Sequence, residues 1–348
     1  MTDMKKWRIA VDVMGGDNAP EEIVKGAVLS AQAFSDVEIQ LYGDEEAIKA
    51  ALPTDIPQNL AIVHASEKIA TDDEPVKAIR HKKDSSMVLG AKAVKKDAAD
   101  AFISAGNSGA LLASGLLIVG RMKGIERPAF MAALPSLTTP GKQWLLMDSG
   151  ANAESKPQHL VQYARMGQAY VESVFNVNFG RVGLLNNGVE ASKGNPLTKQ
   201  THQLLTEAED IHFIGNVEAR DVLSDMADVI VADGFTGNTL LKSVEGTAKQ
   251  LMNLIKETLK NGGPSAKLGG LMIKGELKNL LKDIDYDKAG GALLFGVKAP
   301  VIKCHGTADA NNIHYAIKQA IDVLDAGIVP ELADIFAQQA AEKKQRND

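Results

Sequence analysis

The residues of this chain that could do chemistry sit in short polar turns. The most pointed is Ser104-Ala105-Gly106-Asn107-Ser108-Gly109-Ala110, with Ala101 to Ile103 ahead of it and an apolar run from Leu111 to Val119 behind. Ala101 to Ser104 reads as the end of a buried strand, and Gly106 to Gly109 as the turn that opens a helix. Asn107 or Ser108 can cap that helix, and the glycines allow backbone N–H groups to turn toward an anion such as phosphate. A plain capped turn has the same spelling, since such turns are frequent in α/β proteins.

Four further strand ends carry turns of this kind. They are Asp12-Val13-Met14-Gly15-Gly16-Asp17, Asp148-Ser149-Gly150-Ala151-Asn152, Asn186-Asn187-Gly188 running on to Lys193-Gly194-Asn195, and Asp233-Gly234-Phe235-Thr236-Gly237-Asn238 with Lys242 one turn on. Ligands of open α/β sheets bind outside the carboxyl ends of the strands. Five such turns on one edge predict a continuous polar cleft. Lys193 and Lys242 follow Gly-Asn turns on that edge and suit either anion contact or plain surface exposure.

Other chemistries leave little trace. Neither Gly-x-Gly-x-x-Gly nor Gly-x-x-x-x-Gly-Lys-Ser/Thr occurs, so the main nucleotide signals are missing. Ala105 to Gly109 only superficially resembles a nucleophile elbow, and Ser108 has no histidine near it in sequence. Cys304 and His305 are neighbours, and adjacent strand residues point to opposite faces. Cys304 therefore reads as an ordinary buried residue, while His305, before Gly306, suits a functional or a structural polar group equally. The seven histidines are scattered without metal-ligand spacing, so no metal and no cofactor is expected.

The elements that must position these turns alternate. Strands at Trp7 to Val13, Val37 to Tyr42, Leu60 to His64, Ala129 to Leu134, Gln143 to Met147, Arg181 to Leu185, Ile211 to Gly215, Val229 to Ala232 and Pro300 to Lys303 are interleaved with helices of about 10–15 residues. Thr71 to Ser86 is charged and weakly periodic; it reads as a solvated loop or as a basic loop closing over an anion. No linker divides residues 1–348, so one α/β domain is expected. The net charge of −6 argues against nucleic acid. One cysteine suits a reducing cytosol, and no run reaches the roughly 18–20 apolar residues of a membrane span. No secretory signal is visible.

One stretch, about 262–284, behaves as an amphipathic helical insert. Leu277, Leu280, Leu281 and Ile284 fall at i, i+3, i+4, i+7, and Leu268, Leu271, Met272 and Ile273 form a second apolar cluster among Lys267, Lys274, Lys278 and Lys282. An apolar face among lysines suits an anionic membrane surface, with Leu271, Met272, Leu277 and Leu281 as contacts; it equally suits a dimer contact or ordinary core.

Taken together, the five turns resemble, in order and spacing, the PlsX family of phosphate acyltransferases, and the likeness runs from about Ile9 to Ile328. The resemblance implies a three-layer α/β/α fold with a mostly parallel sheet, like the isocitrate and isopropylmalate dehydrogenases. It implies acyl transfer from acyl-[acyl carrier protein] to inorganic phosphate, a homodimer, and peripheral attachment to the inner face of the membrane of a cytoplasmic protein. A membrane-bound glycerol-3-phosphate acyltransferase would consume the product. On that reading Gly106, Asn107, Ser108 and Gly109 hold phosphate and Lys193 neutralises charge. Asn187, Asn195, Asn238 or His305 donate to the thioester carbonyl, while Asp12, Asp17 and Asp148 orient the donors. Gly15, Gly16, Asn152 and Lys242 complete the substrate site. The competing readings are a metal- and NAD-dependent hydroxy-acid dehydrogenase of the same fold, which would need an acidic cluster and an arginine clamp, and a non-catalytic scaffold for carrier protein.

Overall fold

Strand β1 (Trp7–Asp12) shows how the sheet is built: Ile9 and Val11 point to one face and Ala10 to the other, and all are fully buried. A computed structural model describes residues 6–347 apart from 274 and 276–289. After β1 come α1 (Glu21–Ala33), β2 (Val37–Gly43), α2 (Glu45–Ala51), β3 (Leu60–His64), α3 (Pro75–His81), α4 (Ser86–Lys95) and β4 (Ala101–Ser104). Helix α5 (Ser108–Ser114) continues into a π-helical stretch (Gly115–Gly120), then β5 (Ala129–Pro135), β6 (Gln143–Met147), α6 (Pro157–Ser173), β7 (Val182–Asn186), α7 (Pro196–Thr206) and β8 (Phe213–Glu218). The last part holds β9 (Val229–Val231), α8 (Gly234–Asn261), α9 (Pro264–Met272), β10 (Ala292–Phe295), β11 (Val301–Lys303), α10 (Ala310–Asp325) and α11 (Ile328–Asn347).

The strands form one sheet of order β3-β2-β1-β4-β11-β10-β5-β6-β9-β7-β8. It is mostly parallel and flanked by helices on both faces, the α/β/α arrangement expected from the sequence. Pairing is parallel from β3 to β11 and again from β6 to β8, but β10 is antiparallel to both β11 and β5, and β5 is antiparallel to β6. The two parallel blocks therefore run in opposite directions. The carboxyl ends of β1, β4 and β11 lie on one edge, and those of β6, β7 and β9 on the other. This corrects the expectation of five turns along one edge: three antiparallel steps in mid-sheet reverse the second block.

One face packs its core with α1, α6, α10 and α11 through residues such as Val24, Tyr163, Ile317 and Phe336. The opposite face is covered in two parts. Helices α3, α4 and α5 bury Ile79, Met87 and Leu111 against Phe102, Val301 and Leu294. Helix α8 brings Leu240, Leu241 and Val244 against Leu134, Trp144 and Leu146. Between these helix groups lies a strip of sheet floored by the ends of β4, β11, β10 and β5.

The charged segment read as a loop contains α3. Pro75 occupies its first turn, and the Glu74 carboxylate accepts hydrogen bonds from the Val76 and Lys77 amides at 3.3 and 2.8 Å. Leu277 and Leu281 lie outside the described residues.

Candidate active site

The first edge is assembled around Asp12. Its Oδ2 accepts a 2.7 Å hydrogen bond from Ser104 Oγ, whose oxygen in turn accepts from the Gly106 amide at 3.0 Å; Oδ1 accepts from the Met14 amide at 3.2 Å. Burial pushes the Asp12 carboxyl above its usual range, while the hydroxyls of Ser86 and Ser104 pull it back. Gly15 permits the two turns to touch: a Cβ there would stand 2.6 Å from Asp12 Oδ2 and 2.7 Å from the Gly106 nitrogen. The Asp17 amide donates to the Gly306 carbonyl at 2.7 Å, bringing in the turn after β11. Asp12, Gly15, Gly16, Asp17, Gly106, Asn107, Ser108, Gly109 and His305 thus share one edge.

Two side chains there have roles the sequence did not separate. Asn107 is buried and fully engaged: Oδ1 accepts from the Ala110 amide at 3.0 Å, and Nδ2 donates to the carbonyls of Ala70, Thr71 and Asp73 at 3.3, 3.0 and 3.1 Å. It caps α5 and moors the preceding loop, so anion contact in this turn falls to backbone amides and to the exposed Ser108. His305 is exposed, and its Nδ1 accepts from the Thr307 amide at 3.3 Å. Nδ1 also lies 2.9 Å from Thr307 Oγ1, so Nε2 is the ring nitrogen left to meet a ligand among the described residues.

On the opposite edge, Asp148 organises a second turn. Oδ1 accepts from the amides of Phe130, Gly150 and Ala151 at 3.1, 2.9 and 2.8 Å, and Oδ2 accepts from the Asn152 amide and Nδ2 at 2.8 and 2.9 Å. Burial raises this carboxyl as well, against the pull of those donors. Asp233 caps α8, and the exposed Asn238 in its first turns packs beside Gly150. Asn187, Lys193 and Asn195 form a separate group after β7. Lys193 is exposed, and Asn195 caps α7 through the Thr198 amide at 2.9 Å.

Helix α8 starts at this second edge, and its Lys242 lies near enough to Lys303 of β11 for the two charges to interact. Lys303 is the residue that sequence reasoning missed. It pairs in register with Ser104 and Ala292, shares the face of Val301, and holds its ammonium 5.9 Å over the Phe130 ring. Burial, reinforced by Lys242, depresses its basicity. Its one signal in the sequence was a lysine closing an apolar strand.

Neither candidate nucleophile is armed. Cys304 is 2% exposed in the core of the other face, and burial pushes its thiol up to about 12. Ser108 makes no hydrogen bond to a histidine; among the described residues the Ser–His contact is Ser30 Oγ to His314 Nδ1 at 3.0 Å, between α1 and α10. Among the described residues no group of three or more His, Cys, Asp or Glu is placed to hold a metal ion.

Residues 7–330 match a family described as a fatty acid synthesis protein. The chain is 54% identical over 336 residues to a phosphate acyltransferase of Streptococcus uberis, covering 97% of this chain and 98% of the relative. It is 53% identical over 329 residues to the phosphate acyltransferase of Enterococcus faecalis, covering 94% and 98%. Among solved structures, a phosphotransacetylase from Streptococcus pyogenes aligns over 93% of this chain and 95% of its own, with a TM-score of 0.61 at 17% identity, a likeness of fold.

Proposed function

Because the chain belongs to the PlsX family of phosphate acyltransferases, we propose that it moves a long-chain acyl group from acyl-[acyl carrier protein] to inorganic phosphate. A phosphate oxygen attacks the thioester carbonyl carbon, the C–O bond forms, the C–S bond breaks, and the carrier thiolate leaves and takes up a proton. Phosphate has a second pKa of about 6–7, near that of phosphate monoesters, so near pH 7 a substantial fraction is already the dianion. The carrier thiol, at roughly 8.5, is a fair leaving group. Neither partner needs a strong base or acid. What the protein must supply is placement and donors for the oxyanion.

The observation that carries direct attack is the state of the two nucleophiles, a thiol buried on the far face and a serine without a base. Phosphate is held by the backbone of the Gly106 to Gly109 turn, with Ser108. His305 Nε2 is the carbonyl donor on the same edge. Asn187, Lys193, Asn195 and Asn238 lie on the opposite edge and are assigned to the carrier-borne arm. Asp12 and Asp148 position the turns.

The insert is assigned to a lipid surface. Leu271 and Met272 are 70% and 75% exposed beside the exposed Leu268 and Ile273. No helix among the described residues is long and apolar enough to cross a membrane. A homodimer on the cytoplasmic face, delivering acyl phosphate to a membrane-bound glycerol-3-phosphate acyltransferase, completes the reading. To test it, the protein is incubated with long-chain acyl-[acyl carrier protein] with and without phosphate. Acyl phosphate forming only with phosphate is the expected result. Thioester loss that ignores phosphate, or no loss at all, would sink the transferase reading and favour a scaffold.

A further inference from the structure

We propose that Lys303 holds the acceptor phosphate, its ammonium contacting a phosphate oxygen on the sheet strip between α5 and α8. This rests on the acyl-transfer reading above and names a residue for it.

Other partly buried cations among the described residues have an oxygen partner: Arg8 faces Asp100, Lys82 faces Asp73, Lys142 and Arg181 face Asp225 and Asp228, Arg165 faces Asp210, and Lys92 donates to the Lys83 carbonyl at 2.8 Å. Lys303 is substantially buried, yet among the described residues its Nζ has no carboxylate within ion-pair distance and no hydrogen-bond acceptor. Its compensation is the face of Phe130, a weak substitute for an anion.

The neighbours sharpen the point. The charged side chains near it are a second cation, Lys242, and Glu245, which already pairs with Lys242 at 2.7 Å. Ser104, beside Lys303 in register, donates its proton to Asp12. Ala292, on the other side, has no polar side chain. A desolvated cation next to another cation, with no carboxylate within ion-pair distance among the described residues, is poorly satisfied by them. A doubly charged oxyanion satisfies it, and phosphate is the small dianion this reaction requires.

The test compares wild type with Lys303→Met and Lys303→Gln in two readouts. The first is thermal unfolding with and without inorganic phosphate, which needs no turnover. The second is the KM for phosphate beside the KM for acyl-[acyl carrier protein]. Phosphate should raise the wild-type Tm and leave both variants unmoved. Their phosphate KM should rise about 30-fold or more, with the thioester KM changed less than about threefold. Variants that keep the phosphate-dependent Tm shift and a near-native phosphate KM overturn the role of Lys303 while leaving the activity standing. Failure of both variants to fold also overturns it, because it would make Lys303 a structural residue. Wild type that neither responds to phosphate nor transfers acyl groups removes the functional reading itself.

Discussion

Ser104 Oγ donates to Asp12 Oδ2 at 2.7 Å while accepting from the Gly106 amide at 3.0 Å, so one hydroxyl couples a buried carboxylate to the backbone of the candidate phosphate turn. The hydroxyl fixes where the Gly106 N–H points, and the carboxylate fixes the hydroxyl. Positioning here is a relay through a side chain that need not touch substrate.

The two buried aspartates respond differently to becoming amides. Burial raises the folded-state pKa of Asp12, so its contribution to stability is complete below the unfolded pKa and is lost as pH rises through the folded value. Asp12→Asn, which cannot ionise, should gain on wild type as pH rises above about 4, the unfolded carboxyl's pKa, by urea denaturation at each pH. A wild type that gains on the variant instead would refute this. Asp148→Asn should cost about 3 kcal/mol at pH 7, since its amide group would face N–H donors now received by both oxygens.

Asn107 separates capping from mooring. Asn107→Ala should cost about 2 kcal/mol, more than a cap alone, because three carbonyls lose their donor. Asn107→Asp keeps the acceptor for Ala110 but sets a carboxylate against those carbonyls. Hydrogen exchange across residues 70–73 should rise in both variants. Fast exchange in Asn107→Ala alone would show that the donor nitrogen does not matter.

A single substitution type has opposite signs along α8. A Cβ on Gly237 would run into the Asp148 carbonyl oxygen, so Gly237→Ala should displace the start of the helix, costing about 3 kcal/mol and much of the activity. A Cβ on Gly246 meets nothing within 4 Å, so Gly246→Ala should stabilise by about 0.5–1 kcal/mol with unchanged turnover. Chemical denaturation and the phosphate-dependent assay decide both, and equal effects would mean that α8 is not seated on Asp148 as described.

Membrane contact is read at the exposed end of the insert. Leu271→Glu with Met272→Glu should reduce partitioning onto anionic liposomes by about tenfold or more while the circular dichroism spectrum stays native. Partitioning that does not change would remove these residues from the membrane-facing role.

Much of the architecture was legible because its causes are local. Apolar runs marked β1 and β3, Asp44 before α2 and Pro157 opening α6 marked helix starts, and the Gly-Asn turns marked strand ends. The reversal of the second block was not legible, because it depends on β10 pairing with β5, from Leu293 back to Met131, nearly half the chain away. Helix α3 was hidden because its exposed face carries Lys77, Arg80 and His81, which read as loop charge. Lys303 was hidden because a lysine closing a strand looks like a surface residue until the third dimension sets it over Phe130 with Lys242 nearby. Asn107 was legible as a cap but not as a mooring, whose partners lie 34 to 37 residues earlier.

The position of β11 also orders the birth of the molecule. It inserts between β4 and β10, completing the row that begins with β3, β2, β1 and β4. At about 5–20 residues per second, roughly 10–40 s of translation separate Ser104 from Lys303. Throughout that interval a four-stranded parallel ribbon β3-β2-β1-β4 would lack the partner of its β4 edge, whose unpaired amides and carbonyls invite a neighbour's strand. The nascent protein must therefore be shielded along β4 until nearly its last residues emerge, and a ribosome stalled before β11 would release a sticky half rather than a smaller folded one.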